Sequence, residues 1–222
     1  MQLSSMLEEI AQLAKKCGRD PAEIQLVAIS KGQSVEAIQA LYTQGQRHFG
    51  ESRLQELEAK RSQLPQDISW HLIGTLQTKK VPKVINTVSL IHSIDSLKLA
   101  QKLSDESQKQ NVITPVLLQV NISQEATKHG FSVNELREHF PALVILKGLS
   151  FRGLMTMAPL MTPDNQAHIQ QAFRELSNLK DELACTYNLP DFTELSMGMS
   201  QDYPLAIQEG AILLRLGSRL FN

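Results

Sequence analysis

Short apolar segments alternate with amphipathic segments along nearly the whole chain. Eight apolar segments have the length of buried strands, and they cover residues 24–31, 48–50, 70–74, 89–94, 114–121, 148–155, 193–197 and 212–218. Helical spacing of apolar positions is found over residues 4–17, 34–45, 51–64, 76–84 and 96–110, from Ser132 onward, and over 164–186 and 200–209. This alternation predicts an α/β protein: a single (β/α)8 barrel of the TIM type with an extra amino-terminal helix, forming one domain over residues 1–222.

An open doubly wound sheet is the competing fold for this pattern. No GxGxxG motif follows the first strand, and a count of eight strands favours closure into a barrel. Barrel proteins place their functional residues at the carboxyl ends of the strands. The residues at which the predicted strands end are therefore the first candidates for a site.

The first strand ends in a lysine, Lys31, which is followed by Gly32. Lys31 could simply leave the sheet and reach water, since lysine is seldom buried. Alternatively, apolar walls around the amine would favour its uncharged form, which is a nucleophile towards aldehydes and could form a Schiff base. The strand alone does not decide between the two interpretations.

The last two strands end in loops rich in glycine and serine, SMGMS at 196–200 and LGS at 216–218. Small residues after these strands of a barrel commonly bind phosphate, because backbone N–H groups and hydroxyls can approach the anion. We expect Ser200 to open the following helix and to bind a phosphate there. An ordinary role as a helix cap remains the alternative for Ser200.

Arg215 lies inside the apolar eighth strand, LLRLG. An arginine that points into the barrel must find a partner or lose several kcal/mol of solvation, roughly. A phosphate and a heteroaromatic ring nitrogen would supply partners. Lys31 on one side and a phosphate site on the other would hold the two ends of a phosphorylated aldehyde, and pyridoxal phosphate has that shape.

Several motifs closely resemble those of the YggS/PROSC-type pyridoxal phosphate homeostasis proteins. They are WHLIGTLQTKK at 70–80, VAISK, FGES, GLMTM, ELSMGMSQD and LRLGS, in that family's order and spacing over essentially the whole chain. The resemblance implies a barrel like the amino-terminal domain of fold-type III alanine racemases, with pyridoxal 5'-phosphate held as an internal aldimine of Lys31. It also implies that Ser200, Gly217 and Ser218 hold the phosphate and that Arg215 faces the pyridine nitrogen.

The remaining residues expected to bind the cofactor come from the same motifs and strand ends: Ser52, His71, Met155, Ser196, Met197, Gly198 and Met199. Two positions depart from the family. Ser52 stands where asparagine is common, which puts its contact with the cofactor in doubt. Ser218 stands where threonine is common, and it keeps the hydroxyl.

The resemblance implies a protein of vitamin B6 and amino-acid homeostasis without an established enzymatic activity. An arginine at the ring nitrogen keeps the pyridine unprotonated and weakens the ring as an electron sink. With the chain ending at Asn222, we expect no second domain to supply a tyrosine base. A pyridoxal phosphate-dependent racemase is the alternative, and it would need His71 or Tyr203 as its base.

A cofactor-free aldolase-type barrel is a second alternative. It would need a lysine or carboxylate beside Lys31, and Glu51 is the only candidate at the ends of strands two to six. Lys128 could be a second reactive amine. An RNA contact through Lys79, Lys80 and Lys83 is less consistent with the balanced charge than a solvated helix face.

Charge and cysteine content limit the partners and the compartment. Lys and Arg number 22 against 23 Asp and Glu, and a net charge of -1 gives no general attraction to nucleic acid or membrane. Cys17 and Cys185 have neither CxxC spacing nor a histidine at metal-ligand spacing, so we expect reduced thiols and no metal site. The amino terminus lacks the pattern of a signal peptide. We therefore expect a cytoplasmic monomer whose partners are pyridoxal phosphate and the apo-enzymes that require it.

Overall fold

Eight parallel strands close into a barrel in strand order β1 to β8. The computed structural model describes residues 3–123, 125 and 128–221. The strands are β1 (Gln25–Ile29), β2 (His48–Glu51), β3 (Ser69–Leu72), β4 (Leu90–Ile94), β5 (Thr114–Gln119), β6 (Leu149–Met155), β7 (Glu194–Ser196) and β8 (Leu213–Leu216). The pairing of β1 with β8, with Val27 opposite Arg215, completes the barrel. The predicted TIM-type barrel is thereby confirmed.

Helices follow the strands on the outside of the barrel. They are α1 (Leu3–Lys16), α2 (Val35–Thr43), α3 (Leu54–Arg61), α4 (Val81–Val84), α5 (Leu97–Lys109), α6 (Val133–Val144), α7 (Gln166–Thr186), α8 (Tyr203–Gln208) and α9 (Ser218–Phe221). The extra helix α1 precedes β1, as predicted. Serine caps begin three of the helices because their hydroxyls accept from free backbone N–H groups: Ser34, Ser96 and Ser132.

Several predicted boundaries were wrong, and three of them lie near the predicted site. The eighth strand ends at Leu216, and Ser218 already belongs to α9. The first strand ends at Ile29, and Ser30 and Lys31 already belong to the turn that follows. The helix after β7 begins at Tyr203 instead of Ser200. Proline at the second position of that helix leaves Asp202 as the cap residue.

Strand alternation separates two apolar groups. Outward side chains such as those of Leu26, Leu195 and Leu214 pack against the helices in the large core between sheet and helices. The inward group consists of Val27, Leu90, Leu117, Met155 and Leu213. Because a barrel interior is filled by side chains, this small inner cluster leaves room for polar groups that must satisfy one another.

The inner polar groups are connected by hydrogen bonds between ring and side-chain atoms. His48 Nδ1 lies 3.0 Å from His71 Nε2, and His71 Nδ1 lies 2.9 Å from His92 Nε2. His92 Nδ1 lies 2.8 Å from Ser196 Oγ, which in turn accepts from Arg215 Nη1 at 2.5 Å. We call His48, His71 and His92 the histidine chain. It runs from the amino-terminal side of the barrel to Arg215.

Among the described residues, no helix combines the length and the apolar character needed to cross a membrane.

Gly153 tests how closely β6 and β7 approach. A Cβ at Gly153 would lie 1.9 Å from the backbone oxygen of Glu194, and its φ is +151°. We expect Gly153→Ala to lower the free energy of unfolding by more than about 4 kcal/mol, because the backbone of the paired strand cannot yield cheaply. Gly45→Ala is the matched control, since Gly45 also has a positive φ but no atom within 4 Å of the added Cβ. Its cost should stay near 1 to 2 kcal/mol, roughly, and equal costs in urea titration would contradict the account.

Burial of the histidine chain should make the protein sensitive to acid. Desolvation, followed by the neighbouring His48, lowers the pKa of His71 to about 3, and desolvation holds the pKa of His92 well below its ordinary value. Stability is then fully present above the unfolded-state pKa of about 6.5 and is lost as pH falls below it.

For His71 alone, we expect the free energy of unfolding to fall by about 2 kcal/mol between pH 7.5 and pH 5. His71→Gln should flatten the dependence, and the exposed His168→Gln should not. Urea titrations of the wild type across this range would contradict the account if they showed no loss of stability.

Candidate functional site

A pocket of about 290 Å³ opens at the carboxyl-terminal end of the barrel beside β1 and β8. We call it the carboxyl-end pocket. Its walls come from the end of β1, the loop after β6, the loop after β7 and the end of β8. The lining residues are Ile29, Pro159, Leu160, Met161, Met199, Ser200, Gln201, Asp202, Arg215, Gly217 and Ser218. Five of the residues predicted from the sequence meet here: Met199, Ser200, Arg215, Gly217 and Ser218.

Arg215 is the charged group at the floor of this pocket. It is 4% exposed and points inward from β8, as predicted. Nη1 donates to Ser196 Oγ at 2.5 Å, and Nη2 donates to the carbonyl of Thr156 at 2.7 Å. In the described part of the chain, none of the ion pairs includes Arg215. Its cationic charge is therefore held only by neutral oxygens.

The electrostatics of Arg215 reflect this burial. Desolvation lowers the pKa of Arg215 to about 10, and the negative charge of Asp202 acts in the opposite direction. Burial also raises the pKa of Asp202, against the backbone hydrogen bond from Met199 and the charge of Arg215. A buried cation that lacks a direct anionic partner attracts electron-rich ligand atoms into the pocket.

Ser200 lines the pocket, as predicted, but it lies in a loop and not at the start of a helix. It does not open a helix, because α8 begins later and Asp202 holds the preceding loop: Met199 N donates to Asp202 Oδ1 at 2.5 Å. The Ser200 hydroxyl instead accepts from Gly217 N at 3.4 Å, which joins the loops after β7 and β8. The predicted Gly- and Ser-rich surface is present, and it consists of the loop after β7 together with Gly217 and Ser218, the first residue of α9.

Lys31 is exposed at the same end of the barrel, two residues after the pocket residue Ile29. The apolar walls expected around its amine are not observed, because β1 ends early and the turn at Gly32, with φ +73°, carries the lysine outward. The lysine is thus positioned at the rim. Its side chain is free to turn with its rotamers, as a long exposed chain does.

The turn that carries Lys31 is fixed from below by a buried carboxylate. Glu51 is fully buried, and its Oε1 accepts from Ser30 Oγ at 2.9 Å and from Lys60 Nζ. Lys60 Nζ also donates to the Ser30 carbonyl at 2.7 Å. Because a buried ion pair is rigid only when its other hydrogen bonds are made, these contacts fix the backbone immediately before Lys31.

Other predicted residues lie outside the pocket lining. His71, Met155 and Ser196 point into the barrel below it, and Met197 belongs to the core against the helices. His71 lies one residue before the end of β3, but its side chain belongs to the histidine chain inside the barrel.

Gly198 and Ser52 also have structural contacts. A Cβ at Gly198 would lie 2.6 Å from the Ala206 Cβ, so this glycine admits α8 against the strand ends. Ser52 is half-buried, and its backbone N–H donates to Glu51 Oε2 at 3.2 Å.

Sequence reasoning missed part of the pocket wall. Pro159, Leu160 and Met161 belong to the loop after β6, for which no role was predicted, and Leu160 is 75% exposed. Asp202 was also missed. Its position directly before Tyr-Pro, an aspartate cap followed by a proline in the first turn, is the sequence signal that identifies it.

Lys128 lines a separate pocket of about 230 Å³ at the ends of β3 and β5. Its ammonium donates to Glu125 Oε1 at 2.5 Å and to the Met157 carbonyl at 3.1 Å. Residues 124, 126 and 127 of the loop before it lie outside the described residues.

Tyr203, the alternative base, is also engaged. Its hydroxyl donates to Glu9 of α1 and accepts from Arg219 Nη1 at 2.8 Å. Burial and the bond to Glu9 raise the pKa of Tyr203 to about 12. Both effects keep this phenol protonated at neutral pH, so it is not available to accept a proton.

Comparison with known proteins agrees with this geometry. A family model described as "Alanine racemase, N-terminal domain" matches residues 1–222. A pyridoxal phosphate homeostasis protein of Aquifex aeolicus is 38% identical over 222 residues, which cover 100% of this chain and 96% of the relative. A protein of the same name from Synechocystis sp. is 42% identical over 205 residues, with 91% of this chain and 92% of the relative covered.

A solved structure extends the similarity to the fold. PipY of Synechococcus elongatus PCC7942 is 38% identical, and the match covers 96% of this chain and 100% of PipY. The TM-score is 0.86 for PipY without PLP and 0.84 for PipY with PLP bound. Family model, relatives and structure thus agree over nearly the full length, and the chain belongs to the pyridoxal phosphate homeostasis proteins, which share the alanine racemase amino-terminal domain.

Proposed function

We propose that this protein binds pyridoxal 5'-phosphate in the carboxyl-end pocket and carries it, through Lys31, in the homeostasis of vitamin B6 and amino acids. The observation that carries the proposal is Arg215, a buried cation without an ion-pair partner among the described residues, in a pocket that is also lined by Ile29, two residues before Lys31. PipY, a relative with the same barrel, has been solved with PLP bound.

The pocket residues fit the two ends of this cofactor. Arg215 already donates from both terminal nitrogens to protein oxygens, and its place in the pocket lining leaves it facing the space where the ring would lie. Arginine has donors and no acceptor, so it suits an unprotonated ring nitrogen. Ile29 and Met161 supply apolar wall for a flat ring.

The phosphate end would be held by the loops after β7 and β8. Ser200 and Ser218 bring hydroxyls, and Gly217 lets its backbone N–H approach without a side chain in the way. Met199 completes the loop surface, while Ser196, Met197 and Gly198 support it from behind. Met155, His71 and Ser52 would act from outside the pocket lining, through the barrel interior and the β2 loop.

When bound, the cofactor supplies an aldehyde carbon and a conjugated ring. Lys31 supplies the amine that joins the aldehyde, and the network of Glu51, Lys60 and Ser30 holds its backbone in place. The exposed position of Lys31 leaves the reacting end accessible. Such access is more suitable for a protein that takes up and releases its ligand than for an enzyme that shields a reaction from water.

A carrier without catalytic activity is the form of the proposal that the side chains favour. Tyr203 is bound to Glu9 and Arg219, and His71 belongs to the barrel interior. Neither is available as the second base that racemisation needs. We further propose one domain over residues 1–222, a monomer that delivers the cofactor to apo-enzymes in the cytoplasm. The free cysteines Cys17 and Cys185 are compatible with a reducing compartment.

Lys31→Ala tests the anchor. The purified wild type with added pyridoxal phosphate should show the visible absorbance band of a lysine-bound cofactor, and the variant should lose it, because the proposed amine is then missing. Lys83→Ala, which removes an exposed lysine of α4, is the matched control and should keep the band.

A band that survives in Lys31→Ala would contradict the assignment, and its transfer to Lys128 would be shown by loss in the double variant. Release of the α-proton of alanine into solvent by the wild type, followed by NMR in deuterated buffer, would instead support the racemase alternative.

Ser200→Ala tests the phosphate end. Removing one hydroxyl that donates to a charged oxygen should weaken binding of pyridoxal phosphate roughly tenfold or more. Pyridoxal, which lacks the phosphate, is the control ligand, and its affinity should not change. Equal losses for both ligands in fluorescence titrations would place the phosphate elsewhere.

A further inference from the structure

The histidine chain crosses the barrel from the cofactor side to the opposite mouth. At that mouth His48 and His71 line a cavity of about 290 Å³, which we call the amino-end cavity. The rings of His48 and His71 are 5.3 Å apart between centroids, and those of His71 and His92 are 5.1 Å apart. The three rings are therefore in direct succession, with no other group between them.

Arg215 sets the direction of the first link. Because arginine can only donate, Ser196 Oγ must accept from it. Ser196 is fully buried, and among the described residues His92 Nδ1 is the only acceptor for its hydroxyl proton. A buried hydroxyl proton without an acceptor is costly, so Ser196 donates to His92 Nδ1.

The same direction then passes along the rings. His92 accepts at Nδ1, so its proton lies on Nε2 and is donated to His71 Nδ1. His71 in turn donates from Nε2 to His48 Nδ1. Neutral His48 must therefore carry its own proton on Nε2. All three rings are neutral and share one tautomer, imposed by a cation at the far end.

His48, at the end of the histidine chain that faces the amino-end cavity, is the ring that solvent protons can reach. His48 is half-buried, and desolvation lowers its pKa. The charged groups that line the amino-end cavity with it are Arg152 of β6 and Glu194 of β7, which pair with each other at 3.2 Å. Glu194 Oε2 is buried without a partner among the described residues. Solvent protons thus meet the chain at His48, in a cavity with balanced charge.

Protonation of His48 conflicts with the direction of the chain. A proton taken from solvent would leave His48 with N–H groups on both ring nitrogens, so Nδ1–H would face His71 Nε2–H. The conflict is removed only if His71 and His92 both move their protons to Nδ1. Ser196 Oγ would then accept from His92 as well as from Arg215, and its own proton would lose its acceptor.

We propose that His48, His71 and His92 are positioning residues for Arg215: their directed hydrogen bonds hold its guanidinium towards the cofactor ring, and protonation of His48 at the amino-end cavity reverses them and weakens cofactor binding. The cofactor part of this inference rests on the proposed function. Titration of the cofactor itself also changes its affinity with pH. Beyond that change, protonation of His48 should lower the affinity for pyridoxal phosphate roughly three- to tenfold, which corresponds to one hydrogen bond.

The direction of the chain can be observed without cofactor. Long-range ¹H–¹⁵N NMR spectra of protein labelled with ¹⁵N-histidine distinguish the two neutral tautomers and the charged ring. At pH 8, His48, His71 and His92 should all be Nε2–H tautomers, and on acidification His71 and His92 should change together with the charging of His48. An Nδ1–H or charged ring for His71 or His92 at pH 8 would overturn the proposed direction of the histidine chain. This test uses the wild type alone.

His48→Gln separates positioning from ordinary structural support. Glutamine can still accept from His71 Nε2–H through its carbonyl, but it cannot be protonated. At pH 8 its affinity for pyridoxal phosphate should match that of the wild type within about twofold, and at the pH at which the NMR spectra show His48 charged in the wild type it should exceed the wild-type affinity roughly three- to tenfold. His168→Gln, at an exposed histidine of α7, should follow the wild type at both pH values. Wild-type and His48→Gln profiles that superimpose would overturn the link to the cofactor.

The two proposals fail in different ways. If the visible band does not depend on Lys31, the proposed function fails, while the tautomers at pH 8 still report on the direction of the histidine chain. If the band depends on Lys31 but the tautomers or the pH profiles do not behave as described, the proposed role of the histidine chain fails and the carrier function stands.

Discussion

The rest of the site depends on a cation, Arg215, that is buried without an ion-pair partner among the described residues. Arg215 is held by a serine hydroxyl and a backbone carbonyl, both neutral, and its desolvation is only partly offset by Asp202. Such an arrangement is costly for folding and is retained where a ligand completes it. Below Arg215, the interior accordingly contains hydrogen-bonded polar side chains beside the small inner apolar cluster.

The barrel can hold this arrangement because the outward and inward faces of its sheet have different compositions. Outward residues of the strands form one continuous core with the helices, which provides most of the apolar burial. Inward residues form only a small apolar cluster, so the interior can hold the histidine chain and Arg215. The buried pair of Glu51 and Lys60 performs a similar task at the rim, where it fixes the backbone before Lys31.

Much of this could be predicted from the sequence. The alternation of apolar segments predicted eight strands and a closed barrel, and the charge inside LLRLG predicted an inward arginine. Element boundaries were harder to predict: Lys31 was placed on a strand because Ser30 and Lys31 directly follow the apolar run, whereas β1 ends at Ile29. The histidine chain could not be predicted, since each histidine lies on a different strand and only the barrel register brings the rings together. The same holds for Leu160, whose loop meets the other pocket loops only in the folded barrel.

The most direct test of the account is chemical identification of the lysine that joins the cofactor. The protein would be incubated with pyridoxal phosphate, reduced with borohydride to make the bond permanent, digested, and mapped by mass spectrometry. The account predicts a single modified peptide that contains Lys31. A label confined to Lys128 or spread over the surface lysines would contradict it, because the carboxyl-end pocket beside Arg215 would then not be where the aldehyde is held.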